Sequence, residues 1–119
     1  GIDIVEINRF KEIENLKGIA KKILHTNELE EFNKKVKDQP LFLAKKFAFK
    51  EAFVKAIGTG FRKPYYLNRI EIIKDKLGKP SVVTHEEAKE EFKNLGITKA
   101  HVSLSDTKNY VVAFVVLER

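Results

Sequence analysis

The chain has 119 residues, of which 43% are hydrophobic, nine are Phe and none is Cys, and it carries a formal net charge of +6. That length suits one domain with one core, and the missing cysteines exclude a disulfide scaffold and any thiolate metal site and make a reducing cytoplasm the natural compartment. No apolar run approaches the roughly 18 residues of a membrane span, and the positive charge favours an anionic partner (nucleic acid, an acidic protein or a phosphorylated small molecule) about as well as it fits a plain lysine-rich surface.

The opening GIDIVEI alternates apolar and polar residues and reads as a strand with Asp3 at its centre. It has no signal-peptide layout, and its start on Gly1 rather than Met points to loss of a residue or more by processing. From Asn8 to about Leu24 the pattern is helical and basic, interrupted near Asn15 to Gly18. Asn27 with Glu30 has capping-box spacing and opens a short helix to about Lys35. KVKDQP reads as a loop, and Pro40 suits the first turn of a long helix that runs to Ile57, with Gly58 as a left-handed cap. RIEIIKD and PSVVT form a hairpin around DKLGK, residues 85 to 94 a charged helix ending at Leu95-Gly96, and AHVSLS and YVVAFVVLE two final strands joined near Asp106 to Asn109. The order βααα ββα ββ, without repeat or linker, predicts a single α+β domain over 1–119. In that fold a mainly antiparallel sheet packs against the long central helix and shorter ones.

Successive residues of the long helix lie about 100° apart, which sorts its faces. Phe42, Phe49, Phe53 and Ile57 form a core stripe, and Leu41, Ala44, Ala48 and Ala52 lie roughly opposite. Glu51 and Lys55 are expected to point out among those alanines, over a strip that leaves room for a ligand. The plain alternative is an i,i+4 ion pair worth a few tenths of a kcal/mol. Lys46 and Lys50 repel at the same spacing unless an anion sits between them. The following Gly-Thr-Gly either ends the helix or lets backbone N–H groups approach a phosphate.

Asp3 within an apolar strand is unfavourable unless exposed or paired. Together with Glu51 it would make a two-carboxylate site, and two carboxylates among lysines suit magnesium with substrate phosphate better than calcium or zinc. His25, His85 and His101 have no ligand spacing and read as surface or strand residues.

Two long motifs, GIDIVEINR (Gly1 to Arg9) and FAFKEAFVKAIGTG (Phe47 to Gly60) preceded by LAKK, resemble the holo-acyl-carrier-protein synthases, the small single-domain branch of the 4′-phosphopantetheinyl transferases. ILHTNEL, GKP and HVSLS are weaker echoes. The resemblance implies Mg-dependent transfer of the 4′-phosphopantetheine arm of coenzyme A to a serine of an acyl carrier protein in fatty acid biosynthesis, releasing adenosine 3′,5′-bisphosphate. It implies Asp3 and Glu51 as metal ligands and Asp3, Glu51 and Lys55 as the catalytic group, with Lys55 on the pyrophosphate. Lys46, Gly58 and Pro80 would join Glu51 and Lys55 in lining the coenzyme site. Arg9, Lys17, Lys21 and Lys22 would face the acidic carrier protein, and the family's homotrimer would place active sites at subunit interfaces.

Where the family usually has a His after HVSLS, this chain has Asp106, a carboxylate that would repel a phosphate unless it turns outward. The acceptor of the serine proton, either Glu51 or a metal-held water, stays open at this level. The rivals are a basic α+β nucleic-acid-binding module and a scaffold that keeps the fold without the activity. The first lacks an aromatic RNA-binding signature and zinc-finger spacing, and the second is disfavoured by intact Asp3, Glu51 and Lys55.

Overall fold

The computed structural model describes all residues from Gly1 to Arg119. β1 (Ile2–Glu6) leads into α1 (Asn8–Lys11), α2 (Leu16–Ile23), α3 (Thr26–Lys34) and the long α4 (Gln39–Ile57). A 3-10 turn at Leu67–Arg69 precedes the hairpin of β2 (Ile70–Lys74) and β3 (Pro80–Thr84), and then come α5 (Glu87–Asn94), β4 (Lys99–Asp106) and β5 (Tyr110–Glu118). The α+β class and the antiparallel pairing expected from the sequence are present, but the strands divide into two sheets, β1-β5-β4 and β2-β3. The early helical stretch is interrupted as expected, but at residues 12–15 rather than Asn15 to Gly18, and Asn15 then caps α2 by accepting from the Gly18 N–H.

Pro40 lies in the first turn of α4, and Gly58 ends it with φ 92, a left-handed conformation that only Gly adopts without strain. The N-terminus of α3 differs from the expected Asn27–Glu30 box. His25 is the cap: its Nδ1 accepts from the Asn27 N–H, while a Glu28 carboxylate oxygen accepts from the His25 N–H. Imidazole replaces the usual short oxygen side chain, so spacing alone pointed two residues too far along the chain.

A continuous cluster of 22 buried hydrophobic residues surrounds α4. Phe42, Phe49 and Phe53 are buried as the stripe predicts, with Phe53 against Tyr65 and Phe92. Ala44, Ala48 and Ala52 are buried as well, which overturns the open alanine strip. That face carries the three-stranded sheet, and the small side chains let β1 come close: a Cβ on Gly1 would fall 2.1 Å from the Ala52 carbonyl oxygen. The clearance is used by backbone, not by a ligand.

Candidate active site

Pairing of Asp3 with Ala113 places the Asp3 side chain on the helix-facing side of β1, in phase with buried Val5. α4 presents Lys55 to it, and the Lys55 ammonium donates to Asp3 Oδ1 at 2.9 Å and to the Ile2 carbonyl at 3.2 Å. One turn earlier on α4, Glu51 is half-buried. Burial pushes its carboxyl pKa up, and the Asp3 charge pushes it further, against pulls from Lys55 and Arg9. Lys55 in turn is held above its ordinary value, first by its hydrogen bond to Asp3. Asp3, Glu51 and Lys55 therefore form one electrostatic unit, with Arg9 near enough to be felt. Glu51, whose proton affinity the neighbouring Asp3 charge helps to raise, and Asp3 itself make a pair of carboxylates that fits a hard divalent cation with oxygen ligands.

The other residues singled out in the sequence lie elsewhere. Lys46 and Pro80 line a 620 Å³ cavity between α3, α4 and the β2-β3 hairpin, together with Lys45, Lys74 and Gly78. Lys46 is nine residues from Lys55, about 13.5 Å along the helix axis. Its ammonium points inward, donating to the Ile72 carbonyl at 2.9 Å and lying 3.8 Å from Glu28, and burial lowers its pKa. Gly58 spends its N–H on the Val54 carbonyl at 2.8 Å, and the space its Cβ would occupy is open. Arg9 on α1 and Lys17, Lys21 and Lys22 on α2 are exposed. Asp106 ends β4 opposite Val111 and is exposed, as is Lys108 in the following turn.

The anion that Lys46 and Lys50 require is Glu28. It pairs with Lys50, sits near Lys46, and accepts from the Ile72 N–H at 2.9 Å. Lys50 is fully buried and also donates to the carbonyls of Ile23 and Leu67 at 2.7 and 3.1 Å, so all three ammonium protons have acceptors. Desolvation pushes its pKa down to about 8, which leaves it charged at neutral pH. The available signal was angular: Lys46, Phe49, Lys50 and Phe53 share one arc of the helix.

His101 is an exposed residue of β4 as expected, but the other two histidines depart from that reading. His25 and His85 stack with ring centroids 3.9 Å apart, and Glu71 lies beside both, with Oε1 at 2.8 Å from His85 Nε2 and 3.7 Å from His25 Nδ1. Burial would raise the Glu71 pKa, but hydrogen bonds from His85 and Asn27 and the nearby imidazoles bring it below the ordinary carboxylate value. The three residues are far apart in sequence, and only the meeting of α3, β2 and the start of α5 joins them.

The fold is an antiparallel α+β arrangement around one long helix that sets a strand carboxylate against a helix carboxylate and lysine. The chain belongs to the 4′-phosphopantetheinyl transferase superfamily, which it matches over residues 1–115, and that is a family of enzymes. It is 40% identical over 121 residues to the holo-acyl-carrier-protein synthase of Cronobacter sakazakii, covering 99% of this chain and 94% of the relative. It is also similar to two solved holo-acyl-carrier-protein synthases. That of Neisseria meningitidis is 38% identical with a TM-score of 0.91, covering 100% of this chain and 96% of the other. That of Bacillus anthracis, in complex with CoA (3′,5′-ADP), is 36% identical with a TM-score of 0.81, covering 99% and 93%.

Proposed function

We propose that residues 1–119 form one transferase domain that moves the 4′-phosphopantetheine group of coenzyme A to a serine of an apo-acyl carrier protein, releasing adenosine 3′,5′-bisphosphate in fatty acid biosynthesis in the cytoplasm. Similarity to holo-acyl-carrier-protein synthases over nearly the whole chain supports the reaction. The observation that carries the site assignment is the meeting of Asp3, Glu51 and Lys55 at one corner. No helix is long and apolar enough to cross a membrane.

Asp3 and Glu51 would hold a magnesium ion, whose contribution when bound is to neutralise the pyrophosphate and polarise the phosphorus under attack. Lys55 has a side chain half exposed to solvent and already turned toward this corner, so it is free to swing onto the pyrophosphate and offset charge on the departing phosphate. The serine oxygen bonds to the phosphorus nearest pantetheine, and the bond from that phosphorus to the oxygen of the leaving bisphosphate breaks. Glu51 is the proton acceptor that the chain itself offers at this corner, beside a water held by the metal.

Lys46, Gly58 and Pro80 complete the coenzyme site in this reading, with Lys46 and Pro80 contributed from a neighbouring copy. The distance along α4 supports that division, since one chain does not bring them to the Asp3 corner. A homotrimer is further supported by the outer face of β1 and β5, where Ile2, Ile4, Phe114 and Val116 are exposed and Ile2 and Phe114 lie side by side in register. Arg9, Lys17, Lys21 and Lys22 would dock the acidic carrier protein, with Asp106 kept clear of the phosphates by its outward position.

The test is to incubate the protein with coenzyme A, magnesium and an apo-acyl carrier protein and to weigh the carrier. A gain of one phosphopantetheine, abolished by Glu51→Gln and by Asp3→Asn, is expected. An unchanged carrier mass with the folded wild-type protein would overturn the reading.

A further inference from the structure

The cluster of His25, Glu71 and His85 lies outside the transferase corner and takes no part in the mechanism above. His25 Nδ1, Glu71 Oε1 and His85 Nε2 all lie within 4.8 Å of one another. His25 and His85 line a second cavity of 390 Å³, whose walls include Lys21, Asn68, Arg69 and Glu86 and whose solvent could supply a further ligand, while Glu71 lines the first cavity. We propose that these three side chains form a second cation site, for a borderline divalent transition metal of the zinc class, distinct from the magnesium site of Asp3 and Glu51.

Two neutral imidazoles and one carboxylate are a donor set that tetrahedral zinc accepts, with one position left for water. For metal–ligand bonds near 2.0–2.1 Å, tetrahedral edges are about 3.3–3.4 Å. The Glu71–His85 edge, at 2.8 Å, is shorter than this and the Glu71–His25 edge, at 3.7 Å, longer, so shifts of about half an ångström bring both to the required length. The stacked rings must fan apart for their lone pairs to converge.

The existing hydrogen bonds suit the exchange. Glu71 Oε1 lies 2.8 Å from His85 Nε2, and a cation bound between them would replace that hydrogen bond, with a ring proton of His85 residing on Nδ1. His25 Nδ1 accepts the long 3.2 Å bond from the Asn27 N–H and so already presents its lone pair. Asn27 Nδ2 would remain on Glu71 Oε2, at 3.2 Å, and orient the carboxylate.

The backbone supplies a separate indication. Glu86, next to His85, has φ 55 and ψ −130, a conformation that strains a residue with a side chain, and its carboxylate is tied to Arg69 across the cavity mouth. Strain of this kind is retained where the surroundings fix a side chain for a purpose. Here it fixes the direction in which His85 leaves β3.

The experiment is a titration of the chelator-treated full chain with Co2+, followed by its visible absorption, whose intensity distinguishes tetrahedral from octahedral binding. One tetrahedral Co2+ per chain, displaced by Zn2+, is expected. His85→Ala and His25→Asn should each weaken binding at least about tenfold; the second keeps a side chain that caps α3, so its fold is preserved. The Asp3→Asn/Glu51→Gln double variant and His101→Ala should bind as wild type does. Weak octahedral binding only, or tetrahedral binding unchanged in both His25→Asn and His85→Ala, would overturn the proposal.

Discussion

One helix carries two lysine–carboxylate arrangements with opposite environments. At the Lys50–Glu28 pair the side chains are 0% and 2% exposed; at the Lys55–Asp3 pair they are 50% and 13% exposed. The first binds α4 to α2, α3 and β2 and leaves no donor of Lys50 free. The second leaves its lysine half exposed beside two neighbouring carboxylates. Residues five positions apart on one helix thus serve stability in one case and, in the proposed function, chemistry in the other, and the difference comes from what the surrounding elements cover.

The comparison is broken most severely by Glu28→Gln. Removing one partner of a buried ion pair leaves an uncompensated ammonium, so urea unfolding should show a loss of about 3–5 kcal/mol. By contrast, Lys55→Ala should change stability by less than about 1 kcal/mol, because its ammonium is half exposed and the pair is correspondingly screened. The same substitution should nevertheless reduce kcat by about tenfold to a hundredfold, as expected for loss of a charge aimed at the leaving group.

Smaller effects sharpen the contrast. Because burial and then Asp3 raise the Glu51 pKa, Asp3→Asn should lower it, as read from the side-chain carbon shift across a pH titration. Proton uptake by Glu51 on acidification begins at higher pH in the folded than in the unfolded chain, so this residue favours folding as pH falls through its raised pKa. Glu71 has the opposite sign: its contribution is complete above the unfolded carboxylate pKa and is lost as pH falls through its depressed folded value. The smallest effect is that of salt, which should weaken carrier-protein capture through Arg9, Lys17, Lys21 and Lys22 while leaving kcat nearly unchanged.

Most elements were legible because periodicity and the Gly and Pro positions are local signals. Pro40 and Gly58 bracket α4 as the sequence predicts, and the hairpin turn at Asp75–Lys79 follows from its residues. The corner of Asp3, Glu51 and Lys55 came from combining two motifs 48 residues apart, which their charges in apolar surroundings suggested and the family resemblance made specific. What could not be read was the identity of long-range partners. Lys50 lies 22 residues from Glu28, and the sequence does not say which lysines of an amphipathic pattern turn inward to meet an acid. The alanine strip misled for a related reason, since small side chains admit a strand as readily as a ligand. The His25–Glu71–His85 group depends on three elements that meet only in the folded chain.

The central claim is that Asp3 and Glu51 share one divalent cation. Calorimetric titration of Mg2+ into the protein saturated with coenzyme A tests it most directly. One ion per active site, lost in Asp3→Asn and in Glu51→Gln but kept in His25→Asn, is the predicted result. Magnesium bound with wild-type affinity by both carboxylate variants would contradict it.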